Sequence, residues 1–181
     1  MHERSIELLN KAVADEMAAV HQYMFFHFHC EDQGYARLSA LFMRTAIEEM
    51  GHVEHCAERI LFLKGEVEMT ASGSVQKIHD VKAMLEMGRT MEQGSIGDYN
   101  LWANECSANA DSGSKKVFEG LVDDEERHYN QVDLELEKIA KFGAVVTKAK
   151  ASVKNVDALK TAQPEINAVC TSCHEGYRVR N

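Results

Sequence analysis

Residues 41–63 read LFMRTAIEEMGHVEHCAERILFL, and residues 118–136 read FEGLVDDEERHYNQVDLEL. Each stretch sets a Glu-x-x-His unit in an amphipathic helical pattern, Glu49 with His52 and Glu125 with His128. Residues i and i+3 share a helix face, so the two side chains of a unit can grip the same ion. Two such units carry little weight alone in a chain rich in Glu. Their upstream partners give them force: the 33-residue spacing from Glu16 to Glu49 recurs from Glu92 to Glu125. Four carboxylates and two imidazoles at duplicated spacing are the ligand set of a two-iron carboxylate site inside a four-helix bundle.

Apolar stripes stepping by three and four predict the helices that carry these residues. The first runs from Ser5 to about Asp32 and stops at Gly34, with Leu9, Val13, Glu16, Tyr23 and Cys30 inward. The second runs from near Tyr35 to before Gly65, with Phe42, Glu49, His52 and Ile60 inward. Residues 65–75, GEVEMTASGSV, read as loop. The third helix runs from about Gln76 to Ala110, with Leu85, Glu92, Tyr99 and Cys106 inward. The fourth runs from about Lys115 to Phe142, capped by Ser112 or Ser114 and stopped by Gly143. Short turns make the first and second helices antiparallel neighbours, and likewise the third and fourth, with one long crossover between the pairs. Each helix thus places one Glu in an otherwise apolar face. A lone buried carboxylate is costly unless it is paired or binds metal, so packing alone does not explain four of them.

Composition bounds the alternatives. The chain has 181 residues, one Pro and few aromatics, as an all-α domain would. No apolar run is long enough to span a membrane. The charged N-terminus, MHERSIELLNKAVADE, lacks the apolar core of a secretory signal, which predicts a cytoplasmic protein. Six Lys/Arg against three acids give residues 144–181 a charge of +3, leaving −12 on residues 1–143 of the net −9. An acidic body repels nucleic acid and attracts cations. Five cysteines, three of them isolated in helical stretches, do not form a disulfide framework, and Cys30, Cys56 and Cys106 read as small buried hydrophobes. The expected organisation is a bundle over residues 1–143 and a basic, partly helical tail over 144–181, broken by Pro164.

These residues carry a family resemblance. LLNKAVADEMAAVHQY around Glu16, EEMGHVEHCAERILFLKG around Glu49 and VDDEERHYNQVDLELEKIAKFG around Glu125 resemble the bacterioferritins and their smaller ferritin-like relatives. The segment around Glu92, MEQGSIGDYNLW, is closer to the third helix of dodecameric, Dps-like members. The resemblance implies an all-α, ferritin-like antiparallel bundle with a ferroxidase centre. In it Glu49 and Glu125 bridge two irons, Glu16 and Glu92 each cap one iron, His52 and His128 each add a nitrogen, and Tyr23 stands beside the centre. It also implies haem b or a related iron porphyrin at a subunit twofold, held by Met50. One residue beyond Glu49 is about 100° around the helix, which turns Met50 away from the bundle centre.

The implied function is iron storage and detoxification: oxidation of Fe(II) by O2 or hydrogen peroxide and mineralisation inside a hollow homo-oligomeric cage, with a ferredoxin-type reductant for release. The cage holds 12 or 24 subunits. Lys148, Lys150 and Lys154 suit an apolar fourfold axis poorly, which favours 12. Two alternatives are a soluble di-iron peroxidase and a Dps-like DNA-protecting protein. The first usually carries two C-x-x-C pairs where this chain has one, and the second is weakened by the acidic body. Cys170-Thr-Ser-Cys173-His174 has the form of a c-type haem attachment motif; a thiol pair binding metal or cycling redox state competes with that reading, and a tail with no cofactor is favoured over both. His21, His27, His29 and His55 are candidate transit ligands.

Overall fold

The computed structural model describes residues 2–152 and 156–175. They form five helices: α1 Glu3–Asp32, α2 Ala36–Phe62, α3 Val81–Ala108, α4 Ser112–Ser152 and α5 Val156–Glu175. Among the described residues there is no strand, and no helix is long and apolar enough to cross a membrane. Two compact units divide the chain, Met1–Val132 and Asp133–Asn181, and α4 contributes to both.

The first unit is an antiparallel four-helix bundle of α1, α2, α3 and the start of α4. At one end, Leu8, Leu9, Ala12 and Val13 of α1 pack with Cys56 and Ile60 of α2, Tyr99, Ala103 and Cys106 of α3, and Phe118 and Leu121 of α4. At the other end Tyr23 stacks on Phe42 at 5.9 Å, Phe26 closes on Phe42 at 5.2 Å, and the Cys30 thiol meets the Met84 thioether at 3.6 Å. All three bundle cysteines are fully buried, as small hydrophobes should be. The candidate site lies between these two apolar layers.

The helix ends differ instructively from their sequence expectations. The second hairpin's cap is Asp111, in place of Ser112 or Ser114. Its carboxylate accepts from the Ser114 backbone N–H at 3.1 Å and the Ser114 hydroxyl at 2.7 Å, and Arg59 of α2 donates to it at 2.5 Å. The third helix starts at Val81 rather than Gln76. Asp80 caps it through the Ala83 N–H at 2.8 Å, while Gln76 is engaged elsewhere. Gln76 N–H donates to Gln22 Oε1 at 2.7 Å, and Gln22 Nε2 donates back to the Gln76 carbonyl at 3.0 Å. The crossover, residues 63–80, is thereby strapped along α1, with further anchors from Asn10 to Glu66 and from the Ser72 N–H to the Ala14 carbonyl.

The second unit holds the largest departures. Gly143 does not stop α4, which continues to Ser152. One interior Gly costs only about 1 kcal/mol against Ala, and the residues that follow are helix formers. Pro164 does not break its segment either, but sits inside α5. The later part of α4 and α5 form a hairpin of their own, joined by Lys148–Glu165 at 2.8 Å and lined by Val145, Ala149, Ala162 and Ile166. Cys170 lies half-buried there as a free thiol. The side chains of Cys173 and His174 fall outside the described residues, and so does any test of the C-x-x-C-H reading.

Candidate metal centre

One carboxylate from each bundle helix, with one imidazole from α2 and one from α4, meets at mid-bundle. Glu16, Glu49, Glu92, Glu125, His52 and His128 are each 3% exposed or less. Ligand-capable atoms of Glu16, Glu49, His52 and Glu125 lie within 4.8 Å of one another, and so do those of Glu49, Glu92, Glu125 and His128. The two groups share Glu49 and Glu125. All six residues singled out in the sequence are therefore brought together, in two overlapping sets of four.

Local geometry explains the convergence. His52 Nδ1 faces Glu49 at 2.7 Å, Glu125 at 3.1 Å and Glu16 at 3.4 Å. His128 Nδ1 faces Glu49 at 3.2 Å, Glu125 at 3.7 Å and Glu92 at 3.8 Å. The imidazoles lie 5.8 Å apart, centre to centre. Yet both Nδ1 atoms, together with Glu49 Oε2 and Glu125 Oε1, are buried without a hydrogen-bond partner. Buried polar atoms in native proteins are almost always satisfied. Four unpartnered atoms from two residue types that ligate metals, all aimed at one volume, fit a pair of cations. Mixed carboxylate and imidazole donors suit iron, manganese or zinc.

Electrostatics point the same way. Burial, followed by the Glu49 charge, pushes the Glu16 carboxyl well up; burial, followed by the Glu125 interaction, does the same to Glu92. Glu125 is held low despite its burial, by the close approach of Glu92, His128 and His52. Burial pulls the imidazoles down, but the facing carboxylates win: His128 is raised to about 10, and His52 is raised strongly as well. Without cations, protons hold this cluster of like charges together.

Two phenols complete the wall. Tyr23, expected beside the centre, donates to Glu92. Tyr99 donates to Glu16 at 2.5 Å. The apolar stripe of the third helix marks Tyr99 only as inward-facing. The signal that finds it is a repeated order and spacing: Glu16, Tyr23, Cys30, Phe42, Glu49 and His52 recur at identical intervals as Glu92, Tyr99, Cys106, Phe118, Glu125 and His128. The same repeat pairs Glu48 with Asp124, two further carboxylates outside the sequence reading. A cavity of about 360 Å³ leads from solvent between α1 and α3 to the cluster, past Asp15, Ser72, Ser95 and Asp98.

The other sequence candidates stand apart from the cluster. Met50 is 51% exposed on the outer face of α2, as its helical angle predicts. His21 and His55 are exposed, His27 is hydrogen-bonded to Ser39, and His29 packs on Phe25 at 4.2 Å.

With this geometry in hand, comparison with known proteins is decisive. The ferritin-like domain family matches residues 6–142. The chain belongs to the ferritin-like family. Relatives within that family include bacterioferritins. The bacterioferritin of Desulfovibrio desulfuricans is 36% identical over 123 residues, covering 68% of this chain and 69% of that protein. The Brucella melitensis protein is 32% identical over 138 residues, covering 76% and 86%. Among solved structures, Rhodobacter capsulatus bacterioferritin superposes on this ferritin-like chain with a TM-score of 0.75 at 29% identity, covering 78% of this chain and 88% of the other. That protein was described with a metal-free dinuclear site and with haem iron in a crystallographic special position.

Proposed function

We propose that this ferritin-like chain is the subunit of an iron-storage and detoxification cage, working in the cytoplasm, that oxidises Fe(II) to Fe(III) at a two-iron centre within each bundle. One observation carries the reading: two four-residue donor groups overlap through Glu49 and Glu125. Shared carboxylates are what hold two cations close enough to act together.

The residues then take distinct roles. Glu49 and Glu125 bridge. Glu16 with His52 completes one ion's shell, and Glu92 with His128 completes the other's. Tyr99 and Tyr23 donate to Glu16 and Glu92 and fix which carboxylate oxygen turns inward. Asp15 and Asp98 line the cavity through which a hydrated cation reaches the cluster. Two Fe(II) substrate ions held there supply two electrons to O2 or hydrogen peroxide. The carboxylate-rich shell favours the harder ferric product, while the protons that held the empty cluster leave as the cations bind.

A single bundle has no room for mineral, so storage requires a closed symmetric shell. The exposed Lys148 and Lys150 count against an apolar fourfold lining and favour 12 copies over 24. Met50, exposed on the outer face of α2, would hold a haem shared with a twofold partner, and a ferredoxin-type protein would supply electrons for release.

The bridging residues test the centre. Glu49→Ala or Glu125→Ala should abolish rapid Fe(II) oxidation while native mass measurement still finds the wild-type shell, twelve times the 20.3 kDa of one chain if the smaller cage assembles. Unchanged initial rates in either variant would reject the centre. Met50→Leu conserves volume and removes the sulfur. It should lose bound porphyrin and keep first-turnover oxidation, and normal porphyrin content in that variant would make Met50 an ordinary surface residue.

A further inference from the structure

The cluster uses only the inner nitrogen of each imidazole. The outer nitrogens lead to carboxylates outside it, in a crossed arrangement. His128 Nε2 lies 2.6 Å from Glu48 Oε2, and His52 Nε2 lies 3.4 Å from Asp124 Oδ2. Glu48 and Asp124 each immediately precede a bridging glutamate, yet each meets the imidazole of the opposite helix. Arg127 closes the figure. Its Nη1 donates to Glu48 Oε2 at 2.8 Å and its Nη2 to Asp124 Oδ1 at 2.5 Å.

The chemistry of a metal-binding imidazole gives this figure a purpose. Both Nδ1 atoms face the cluster without a partner. A neutral ring that offers Nδ1 to a cation carries its proton on Nε2 and donates it. A carboxylate that accepts this proton fixes the tautomer and the ring plane and strengthens the ligand. Such a carboxylate must itself be held. The planar guanidinium presents two N–H groups in a fixed fork, so one Arg can hold two acceptors at once. The internal repeat sharpens the point. Glu48 and Asp124 correspond, as do His52 and His128, but the counterpart of Arg127 is Gly51. One cation therefore serves both halves.

We propose that Arg127 is a positioning residue for both ions: its guanidinium fixes Glu48 and Asp124, and through them the ring orientation of His128 and His52. The proposal rests on the two-ion reading of the cluster. The bland alternative is an exposed ion pair of small consequence, since Arg127 is 43% exposed.

Anaerobic titration of the full-length protein with Co(II), followed by its visible ligand-field absorption, separates these readings without relying on turnover. Wild-type protein should bind two Co(II) per chain. Arg127→Gln should weaken both binding steps by about tenfold or more and alter the band shape, because both rings lose their fixed plane. Arg127→Lys should recover part of the affinity, since a single ammonium holds one carboxylate well but lacks the fork. Lys141→Gln removes an exposed ion pair to Glu137 and should leave the titration unchanged. Circular dichroism and native mass confirm that each variant is folded and assembled. Wild-type affinities and band shape in Arg127→Gln would overturn the proposal and reduce Arg127 to a surface pair. Failure of the wild-type protein to bind a Co(II) pair would overturn the two-ion centre itself, and this inference with it.

Discussion

Glu16 and Glu92 end against phenols contributed by the other helical hairpin, Tyr99 for Glu16 and Tyr23 for Glu92. Each phenol sits in apolar packing and spends its one polar group on a carboxylate, so a Phe at either position keeps the volume and removes only the donor. Tyr99→Phe should therefore cost about 1 kcal/mol of stability while slowing initial Fe(II) oxidation severalfold, because the Glu16 carboxylate loses the contact that orients it. Tyr23→Phe should slow it by a similar factor. A rate in Tyr99→Phe equal to wild type, in stopped-flow absorbance, would show the contact to be packing alone. The six cluster residues are legible in the sequence because their residue types and their spacing are repeated together. Tyr99, Glu48 and Asp124 are not, because a hydrogen bond to a cluster residue leaves no spacing rule of its own. Only their repetition at matching intervals betrays them.

Among the helices, boundaries are less legible than faces. Apolar stripes decide which side of each helix turns inward, since burial acts on every third or fourth residue. Ends depend on single side chains that compete. Asp111 takes the capping role from its serine neighbours because it also meets Arg59 of α2. Two helix ends carry positive φ without glycine, Lys64 at 65° and Ala110 at 56°. Gly65, next to Lys64, is required elsewhere: a Cβ there would meet Ile6 at 2.8 Å. Gly143 misleads because one interior Gly is a weak signal against a helical run, whereas Pro164 sits inside α5 despite a cost of about 3 kcal/mol. The Asp111 contacts make a pH-dependent prediction. Burial would raise its pKa, but the Ser114 hydrogen bonds and Arg59 hold it well below the usual carboxylate range. A depressed folded pKa contributes stability above the unfolded value near 4, and that contribution fades as pH falls through the folded value. Asp111→Ala should destabilise the chain by about 2 kcal/mol at pH 7, and the gap in urea midpoints should narrow below pH ~4. A gap independent of pH would remove charge from the explanation.

Over the bundle as a whole, the internal repeat makes the first unit two copies of one helical hairpin, with matching residues at matching intervals. Each copy supplies three of the six cluster residues: Glu16, Glu49 and His52 from α1 and α2, and Glu92, Glu125 and His128 from α3 and α4. The architecture and the cluster follow from the sequence at this scale, while the length of α4 and the extent of α5 do not, because residues 143–152 and α5 carry no cluster residue and no long apolar stripe. The crossover is the sole covalent tie between the copies, and it is held along α1 by hydrogen bonds that do not depend on its being unbroken. Its peptide continuity therefore contributes loop-closure entropy of a few kcal/mol at most, whereas the shared core and cluster bind the copies to each other. The subunit should thus work as a split protein. Residues 1–72 and 73–181, produced together from separate reading frames, should find each other, co-purify at the mass of the intact assembly, and oxidise Fe(II) with neither fragment active alone. Fragments that co-fold only when joined would show that the strap, and not the packed interface, commits the two hairpins to one another.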